Sequence, residues 1–363
     1  MVEKFASYLQ DLVMLPGLSG HEQQVAACMK GVFDRHGFET RIDTFGNCIA
    51  RLPGRVSGKK LMLFAHMDNL GFFIRYIEED GFLRLERMGG IPEKVLPSTE
   101  IAVQRRDGSL VRGVIGIKQH HVTPPEEKYV VEKLPTLFAD IGARNRQEAL
   151  DEGVNIGSPV MYRPKFQRLR GSRVTASFLD NRTGCASLLL LAELLKGQNQ
   201  AGDIYLVGTV MEEYNLRGAM MAARTIEPDL AIGIDGGPGG DTPEMPRGPL
   251  SLGGGPVISH YNFHGRGTLN GTIPHPAMVR LLEASAEKAG VNIQHSAIVG
   301  GLTDASYLQL ERKGIPLIDI GAPRRYTHSP SEVADMDDSV NLVRWLLETV
   351  KTDLQNFDFS RKE

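Results

Sequence analysis

The sequence predicts an α/β fold: a doubly wound, mostly parallel sheet with helices on both faces, into which a β-rich, barrel-like domain is inserted. Two observations predict the sheet: continuous apolar runs recur along the chain, as is typical of strands covered on both faces, and helical patterns lie between them. The insertion is predicted because residues from about 70 to 165 alternate like half-buried strands and contain no long helical pattern.

The elements of the α/β part follow in chain order. An amphipathic helix is expected from residue 1 to Pro16-Gly17, and a second is expected to run to Gly37 from a capping box made by Ser19 and Glu22. FETRID and CIARL indicate short strands. The buried strands are predicted at LMLFA (61–65), IYLVGTVM (204–211), LAIGID (230–235) and IPLIDIG (315–321). Helical patterns cover 183–197, 276–290 and 339–355.

The insertion is predicted from two segments that each look like a hairpin. GFFIRYIEEDGFLRLERM and IAVQRRDGSLVRGVIGIK alternate in polarity, and each contains an Asp-Gly turn signal, at Asp80-Gly81 and Asp107-Gly108. We therefore expect an α/β domain formed by 1–68 plus 168–363, and an inserted β-rich domain formed by 69–167.

Composition excludes several classes of protein. The chain has 363 residues, a formal net charge of −3 and no long basic run, so it lacks the electrostatic footprint of a nucleic-acid binder. No apolar stretch is long enough to cross a membrane, and the first residues lack the pattern of a secretory signal. Three cysteines without metal-type spacing are typical of a reducing compartment, so a cytosolic location is expected.

Residues suited to metal binding follow the predicted strands. LMLFA leads into His66-Met67-Asp68, and IYLVGTVM leads into Glu212-Glu213. Asp235 ends LAIGID, a short loop joins IPLIDIG to His328, and Asp180 precedes a helix. Sites in open α/β sheets lie outside the carboxyl ends of the strands, so these side chains are expected to converge.

This set of side chains predicts a hydrolytic metal centre. Two histidines and several carboxylates suit zinc, cobalt or manganese. If one aspartate bridges, five ligands can hold two ions about 3.5–4 Å apart, which activates water and polarises a carbonyl group. A bend at the strand end would let one of the two adjacent glutamates bind metal while the other faces the substrate and transfers protons.

Each motif alone has a simpler structural interpretation. A lone His-x-Asp is a metal ligand in roughly one case in ten, and Glu-Glu usually marks a solvated turn. Asp180 could cap a helix, Asp235 could belong to a turn, and His328 could be a loop histidine. The joint pattern favours a site, because cores avoid ionisable residues at several strand ends that have no use for them.

Five motifs carry a family resemblance: AHMDNLGF, SFLDNRTG, GTVMEEYNLRGA, IGIDGGPGGDTP and GAPRRYTHSPSEV. Their order and spacing resemble the deblocking or glutamyl aminopeptidases, dinuclear-metal exopeptidases that form tetrahedral shells, some of whose relatives are labelled endoglucanases. The motifs PGLSGHE, VIGIKQHH, LFADIGAR, GGGPVI and GGLTDAS extend the resemblance over nearly the whole chain.

The resemblance implies a role for each residue of the centre. His66, Asp180 and Asp235 would bind one ion, and Glu213, His328 and the shared Asp180 would bind the other. Glu212 would be the general base and then the acid, and Asp68 would orient His66. The ions would be zinc or cobalt, with manganese as a further option. The substrates would be short peptides, and the insertion would mediate dimerisation in a homododecamer.

Weaker signals concern the substrate. Gly254 and Gly255 could approach a substrate backbone, although a simple turn is an alternative, and Arg324-Arg325 could meet a substrate carboxylate, although salt bridges are commoner. We take Gly254, Gly255 and Arg325 as candidate substrate-binding residues.

The chain departs from the family pattern at four places: Asn69, Met211, Tyr214-Asn215 and Gly236-Gly237. These departures keep two alternatives open. One is another metal-dependent hydrolase on the same scaffold, such as a glycosidase, although paired glycosidase carboxylates lie about 5–10 Å apart and adjacent glutamates would not easily do so. The other is a catalytically weak, oligomeric binding protein descended from the enzyme.

Overall fold

The computed structural model describes residues 1–56, 58–198, 200, 202–245, 248–264 and 271–361. These residues form a large sheet flanked by helices and a separate closed barrel. The helices are α1 (Val2–Val13), α2 (Gln23–Arg35), α3 (Arg146–Asp151), α4 (Leu179–Leu195), α5 (Gly218–Ile226), α6 (Pro276–Ala289), α7 (Ala305–Leu308) and α8 (Met336–Lys351). Short 3-10 turns lie at Glu93–Val95, His120–Val122 and Leu134–Thr136.

The strands divide between the two bodies. The large sheet contains β1 (Glu39–Ile42), β2 (Cys48–Leu52), β3 (Leu61–His66), β10 (Phe166–Arg168), β11 (Arg173–Ala176), β12 (Ile204–Thr209), β13 (Leu230–Pro238), β14 (Val257–Phe263), β15 (Gly271–Thr272), β16 (Gln294–Val299), β17 (Leu317–Arg325) and β18 (Glu332–Asp335). The barrel contains β4 (Gly71–Ile77), β5 (Leu83–Met88), β6 (Glu100–Gln104), β7 (Leu110–Ile115), β8 (Ala139–Asp140) and β9 (Pro159–Tyr162).

The centre of the large sheet is parallel and covered on both faces. β12, β3, β13 and β17 are neighbours in this order and pair in parallel, whereas β1, β2, β18, β11 and β10 pair antiparallel at the edges. Every residue of β3 and β12 is buried. In β3, Leu61 and Leu63 belong to the core with α1, α4 and α8, and Met62 and Phe64 to the core with α5 and α7. The predicted α/β class is therefore confirmed.

Two central strands continue beyond their predicted ends. β13 runs on to Pro238 and β17 to Arg325, because the two stay paired from Ala231 opposite Leu317 to Pro238 opposite Arg324. The prediction that LAIGID ends its strand at Asp235 is therefore wrong. Asp235 lies inside β13, opposite Gly321.

The barrel closes in the order β4-β5-β8-β7-β6-β9 around its own apolar core. Both predicted hairpins are present, and the glycines of their turns, Gly81 and Gly108, have positive φ, a conformation that costs glycine little. A β-rich insertion is thus confirmed, with one short helix, α3, within it. The boundary at residue 167 falls inside β10, and both domain boundaries and the dimerisation role stay predictions.

None of the described helices combines the length and the apolar character that crossing a bilayer requires. Cys28, Cys48 and Cys185 are all free.

Candidate metal centre

The predicted ligands converge at the carboxyl ends of the parallel strands. His66 is the last residue of β3, Asp235 lies in β13, and Glu212 and Glu213 follow β12. Asp180 lies at the start of α4, where its backbone is not yet helical, and His328 follows β17 with positive φ. Residues separated by more than 260 positions in the sequence therefore face one another.

Asp180 lies between the two histidines. Its Oδ1 is 3.1 Å from Nε2 of His66, and its Oδ2 is 3.5 Å from Nε2 of His328. Asp235 Oδ2 lies 3.9 Å from the same nitrogen of His66, and Glu213 Oε1 lies 3.5 Å from that of His328. One carboxylate thus offers an oxygen to each side, the arrangement that a bridging ligand requires.

The donor atoms form two sets that suit metal ions. The first, which we call the His66 half, contains His66, Asp235 and Glu212, and the second, the His328 half, contains Glu213, His328 and Asp180. Within each set the donor atoms lie within 4.8 Å of one another. Imidazole nitrogens and carboxylate oxygens in such sets fit zinc, cobalt or manganese. Glu212 is within ligand distance too, so its carboxylate can reach an ion in the His66 half as well as a water molecule beside it.

The chain bends sharply where β12 ends, and four consecutive amides are held by side chains. The amide of Val210 donates to Asn47, that of Met211, which has positive φ, to Glu22, and those of Glu212 and Glu213 to Asp68. This bend sends Glu212 to the His66 half and Glu213 to the His328 half.

Asp68 organises both the glutamates and His66. It is fully buried, and its two carboxylate oxygens accept the amides of Glu212 and Glu213, each at 3.0 Å. Nδ1 of His66 lies 3.2 Å from the Asp68 carbonyl oxygen and 3.5 Å from Oδ1 of its carboxylate. These contacts leave Nε2 of His66 facing the centre, which is how outer partners orient metal-ligating imidazoles.

The predicted capping box is wrong, and its residues serve the centre instead. Ser19 donates its hydroxyl to the Asp68 carboxylate. Glu22 is the N-cap of α2, and its carboxylate accepts the amides of Gly20 at 2.8 Å and Met211 at 3.1 Å. The PGLSGHE motif therefore buttresses the Asp68 and Glu212-Glu213 segments. The signal in the sequence that could have indicated this supporting role is the presence of PGLSGHE among the family motifs.

His328 is held from the barrel and from Glu332. Its Nδ1 donates to the carbonyl oxygen of Gly90 at 2.6 Å, which leaves Nε2 as the metal-binding atom, and the Tyr162 hydroxyl donates to the His328 carbonyl at 3.2 Å. Buried Glu332 accepts the amide of His328 at 2.7 Å and that of Asp180 at 2.8 Å. Sequence reasoning did not single out Glu332.

The raised pKa values of several carboxyl groups indicate that the centre holds more acidic groups than cationic side chains. Burial raises the pKa of Glu212 well above its ordinary value and that of Glu213 to about 7, with further contributions from neighbouring carboxylates. Burial also raises the pKa of Asp304 to about 7. Burial would likewise raise the pKa of Asp180, but Arg324 and the two histidines outweigh it and hold that pKa well below the ordinary value. Divalent cations would relieve this surplus of negative charge.

A cavity adjoins the His66 half. Its volume is about 290 Å³, and it begins at Asp235 and is lined by 236–238, 298–303 and 319–321 together with side chains of β14. Its described lining residues include neither Lys nor Arg. A pocket next to candidate ligands is suited to hold part of a substrate.

None of the candidate substrate-binding residues is among the described residues that line this cavity. Gly255 donates its amide to Asp338 at 2.8 Å, and a Cβ there would lie 2.1 Å from the Asn292 carbonyl oxygen, so tight packing accounts for this glycine. A Cβ at Gly254 would likewise meet Gln294. Arg325 forms a two-pronged ion pair with Asp241, with 2.8 Å between Nε and Oδ1. Substrate contact by these three residues stays a prediction.

Asn69 contacts a fully buried arginine. Its Oδ1 accepts from Nη2 of Arg182 at 3.1 Å, and Nε and Nη1 of Arg182 have no hydrogen-bond partner among the described residues. The acidic residue usual in the family would stand directly beside this cation. A buried cation without a paired carboxylate is costly.

Asn69→Asp is therefore expected to stabilise the protein. The change turns the existing hydrogen bond from Arg182 into an ion pair, and part of this gain is offset by the loss of the hydrogen bond from the Asn69 side-chain amide to the Leu70 carbonyl oxygen. The melting temperature should rise by roughly 2–4 °C per kcal/mol gained. Asn292→Asp, the same change at an exposed position, should leave it unchanged. A melting temperature that is lower in Asn69→Asp would contradict the pairing.

Comparison with known proteins agrees with this geometry. The M42 glutamyl aminopeptidase family model matches residues 46–345. The Escherichia coli (strain K12) protein called "Putative aminopeptidase SgcX" is 39% identical over 341 residues, which cover 93% of this chain and 91% of that protein.

Solved structures share the fold over the whole length. Aminopeptidase APDkam598 from the archaeon Desulfurococcus kamchatkensis has a TM-score of 0.92 and 34% identity, and covers 98% of this chain and 97% of its own. The Pyrococcus horikoshii TET1 peptidase, described as assembling into a tetrahedron or a large octahedral shell, has a TM-score of 0.85 and 29% identity, with 96% and 100% covered. The chain thus belongs to the M42 glutamyl aminopeptidase family and is a hydrolase of the exopeptidase class.

Proposed function

We propose that this protein removes N-terminal residues from short peptides with two divalent ions and Glu212 as proton carrier. The observation that carries the proposal is the pair of donor sets joined by Asp180, which has one oxygen toward each histidine. His66, Asp180 and Asp235 would hold one ion, and Glu213, His328 and the same Asp180 the other. When bound, such ions activate water and polarise the carbonyl group of the scissile bond.

Glu212 would accept the proton of the attacking water and pass it to the leaving amine. A residue in this role must hold and release a proton near neutral pH, and the raised pKa of buried Glu212 favours this. Its position is held through its amide by Asp68, so the carboxylate itself remains available. Asp68 would be a positioning residue that orients His66 and both glutamates.

The cavity beside Asp235 would receive the side chain of the first residue of the peptide. An acidic side chain would need a basic partner, and the described lining residues provide none. Buried Asp319, one of the lining residues, adds an acidic group and no positive charge, and burial raises its pKa to about 7. We therefore expect aminoacyl-amides of neutral or basic residues to be cleaved faster than those of glutamate or aspartate.

The assembly would be a homododecamer built from dimers, with residues 69–167 mediating dimerisation. The separate barrel and the shell-forming Pyrococcus horikoshii relative support this proposal. The free cysteines support a cytosolic location. Light scattering during gel filtration would measure the mass of the assembly, which should be that of the homododecamer. A monomer at micromolar concentration would contradict the shell.

The activity is tested with a panel of aminoacyl-amides and short peptides after metal removal and addition of Zn²⁺, Co²⁺ or Mn²⁺. We expect hydrolysis that chelator abolishes and metal restores. Parallel assays on β-glucan address the other hydrolase class. Chelator-sensitive glucan cleavage without peptide cleavage would replace the proposal, and metal binding with no turnover of any substrate would indicate a binding protein.

A further inference from the structure

Arg324 lies inside the centre, although cationic side chains are unusual partners for metal ligands. It is 3% exposed, and its Nη2 lies 3.0 Å from Asp180 Oδ1 and 2.9 Å from Asp235 Oδ1. Nη1 donates to the carbonyl oxygen of Leu179 at 3.0 Å. Nε has no hydrogen-bond partner among the described residues. The guanidinium charge is permanent, so it belongs to the centre at every relevant pH.

A second feature of the chain makes room for this guanidinium. A Cβ at position 236 would lie 2.4 Å from the guanidinium carbon of Arg324, so any side chain there would displace it. Gly236 belongs to the Gly236-Gly237 pair, which departs from the bulkier residues usual in the family. Gly236 in β13 therefore leaves the space that the guanidinium group of Arg324, from β17, occupies.

Arg324 contacts donor atoms on the side of the centre that faces His66. Asp180 Oδ1, which it contacts, is the oxygen 3.1 Å from Nε2 of His66, and Asp235 is a member of the His66 half. The His328 half uses Asp180 Oδ2, His328 and Glu213, and these donor atoms make no contact with Arg324 in the described part of the chain. A divalent ion in the His66 half would share two carboxylates with a fixed positive charge.

We infer that Arg324 makes the two halves unequal, so that the His328 half binds its ion first and the His66 half binds weakly. This inference rests on the proposed function, in which both halves bind divalent ions. Like charges a few ångströms apart repel strongly in a protein interior, and hydrogen bonds from Arg324 withdraw electron density from two ligand carboxylates. When the His66 half is empty, Arg324 balances Asp180 and Asp235 in place of the second ion.

The test is titration calorimetry of the metal-stripped protein with Co²⁺, together with the metal content after gel filtration. We expect wild type to bind one ion per subunit tightly and a second about tenfold or more weakly. Arg324→Gln, which keeps an amide donor but loses the charge, should strengthen the second step by about tenfold or more. Arg324→Met, which also removes the donor, should do the same.

Matched variants separate charge from location. Arg325→Gln removes the neighbouring charge, which is paired with Asp241, and should leave both binding steps unchanged. His328→Ala should lack the tight binding step that the wild-type protein shows. Circular dichroism and the melting temperature show whether each variant is folded.

The outcomes distinguish this inference from the proposed function. Two equal binding steps in wild type, or a second step that is unchanged in both Arg324 variants, would overturn the role of Arg324 while the two-ion proposal stands. Absence of any ion in wild type would overturn the two-ion proposal itself. A tight step that survives in His328→Ala would show that the order of filling is the reverse of the one inferred.

Discussion

Glu212→Gln is expected to lower kcat for peptide hydrolysis by roughly 10²–10⁴-fold, the usual contribution of a general acid-base group. The change removes the ability of the side chain to take a proton. It keeps the size of the side chain and the hydrogen bond from the backbone amide of residue 212 to the Asp68 carboxylate. Because Glu212 is proposed as proton carrier and not as ligand, the variant should keep the metal content of wild type. Steady-state kinetics and elemental analysis of the same preparation provide both values.

Glu213→Gln is the matched control, since it makes the same change at the adjacent position. It should lose activity together with one ion, because Glu213 belongs to the His328 half. Added metal should restore part of the activity of Glu213→Gln and none of that of Glu212→Gln. Loss of metal from Glu212→Gln would show that Glu212 is a ligand with His66 and Asp235, and a wild-type kcat would show that it is not the base.

The buried strands and the long helices could be predicted because their patterns are local. LMLFA is apolar at every position and IYLVGTVM at all but Gly208 and Thr209, and they form the fully buried strands β3 and β12. β12 ends at Thr209, two residues before the predicted end. The ends of β13 and β17 could not be predicted, because Gly236-Gly237 and Arg324-Arg325 look like loop residues. They are strand because they pair with each other, and pairing across almost ninety positions leaves no local signal. α5, rich in alanine and methionine, was not predicted for a different reason: it is short and follows a charged turn.

The candidate ligands could be named from the sequence, whereas most residues that position them could not. His66, Glu213 and Asp235 stand in motifs next to apolar runs, where ionisable residues are conspicuous. Glu332 stands in a polar segment and shows its role only through amides it accepts in space, one of them 152 positions away at Asp180. For Arg324 the sequence leaves two options, contact with a substrate carboxylate or the commoner salt bridge. Its burial against Asp180 and Asp235 depends on the extended pairing of β17, which no local pattern indicates.

Asp180 is the residue whose loss should affect both halves of the centre. Each of its oxygens faces a different histidine, and Arg324 adds a third contact. Asp180→Ala should therefore lose both ions, whereas Asp235→Ala should lose only the ion of the His66 half. Bound ions contribute several kcal/mol to catalysis, so Asp180→Ala should reduce kcat by roughly 10³-fold or more.

Metal content per subunit after equilibrium dialysis is the decisive measurement for this variant. Asp180→Ala also removes one of the two aspartates that pair with Arg324 and leaves only Asp235. Its melting temperature must therefore be compared with that of Asp235→Ala, which removes the other aspartate. Asp180→Asn, which keeps one oxygen and the size of the side chain, should retain more metal than Asp180→Ala. If Asp180→Ala kept one ion as tightly as Asp235→Ala does, Asp180 would be a ligand of a single ion, and the centre would lack the shared carboxylate on which the two-ion proposal depends.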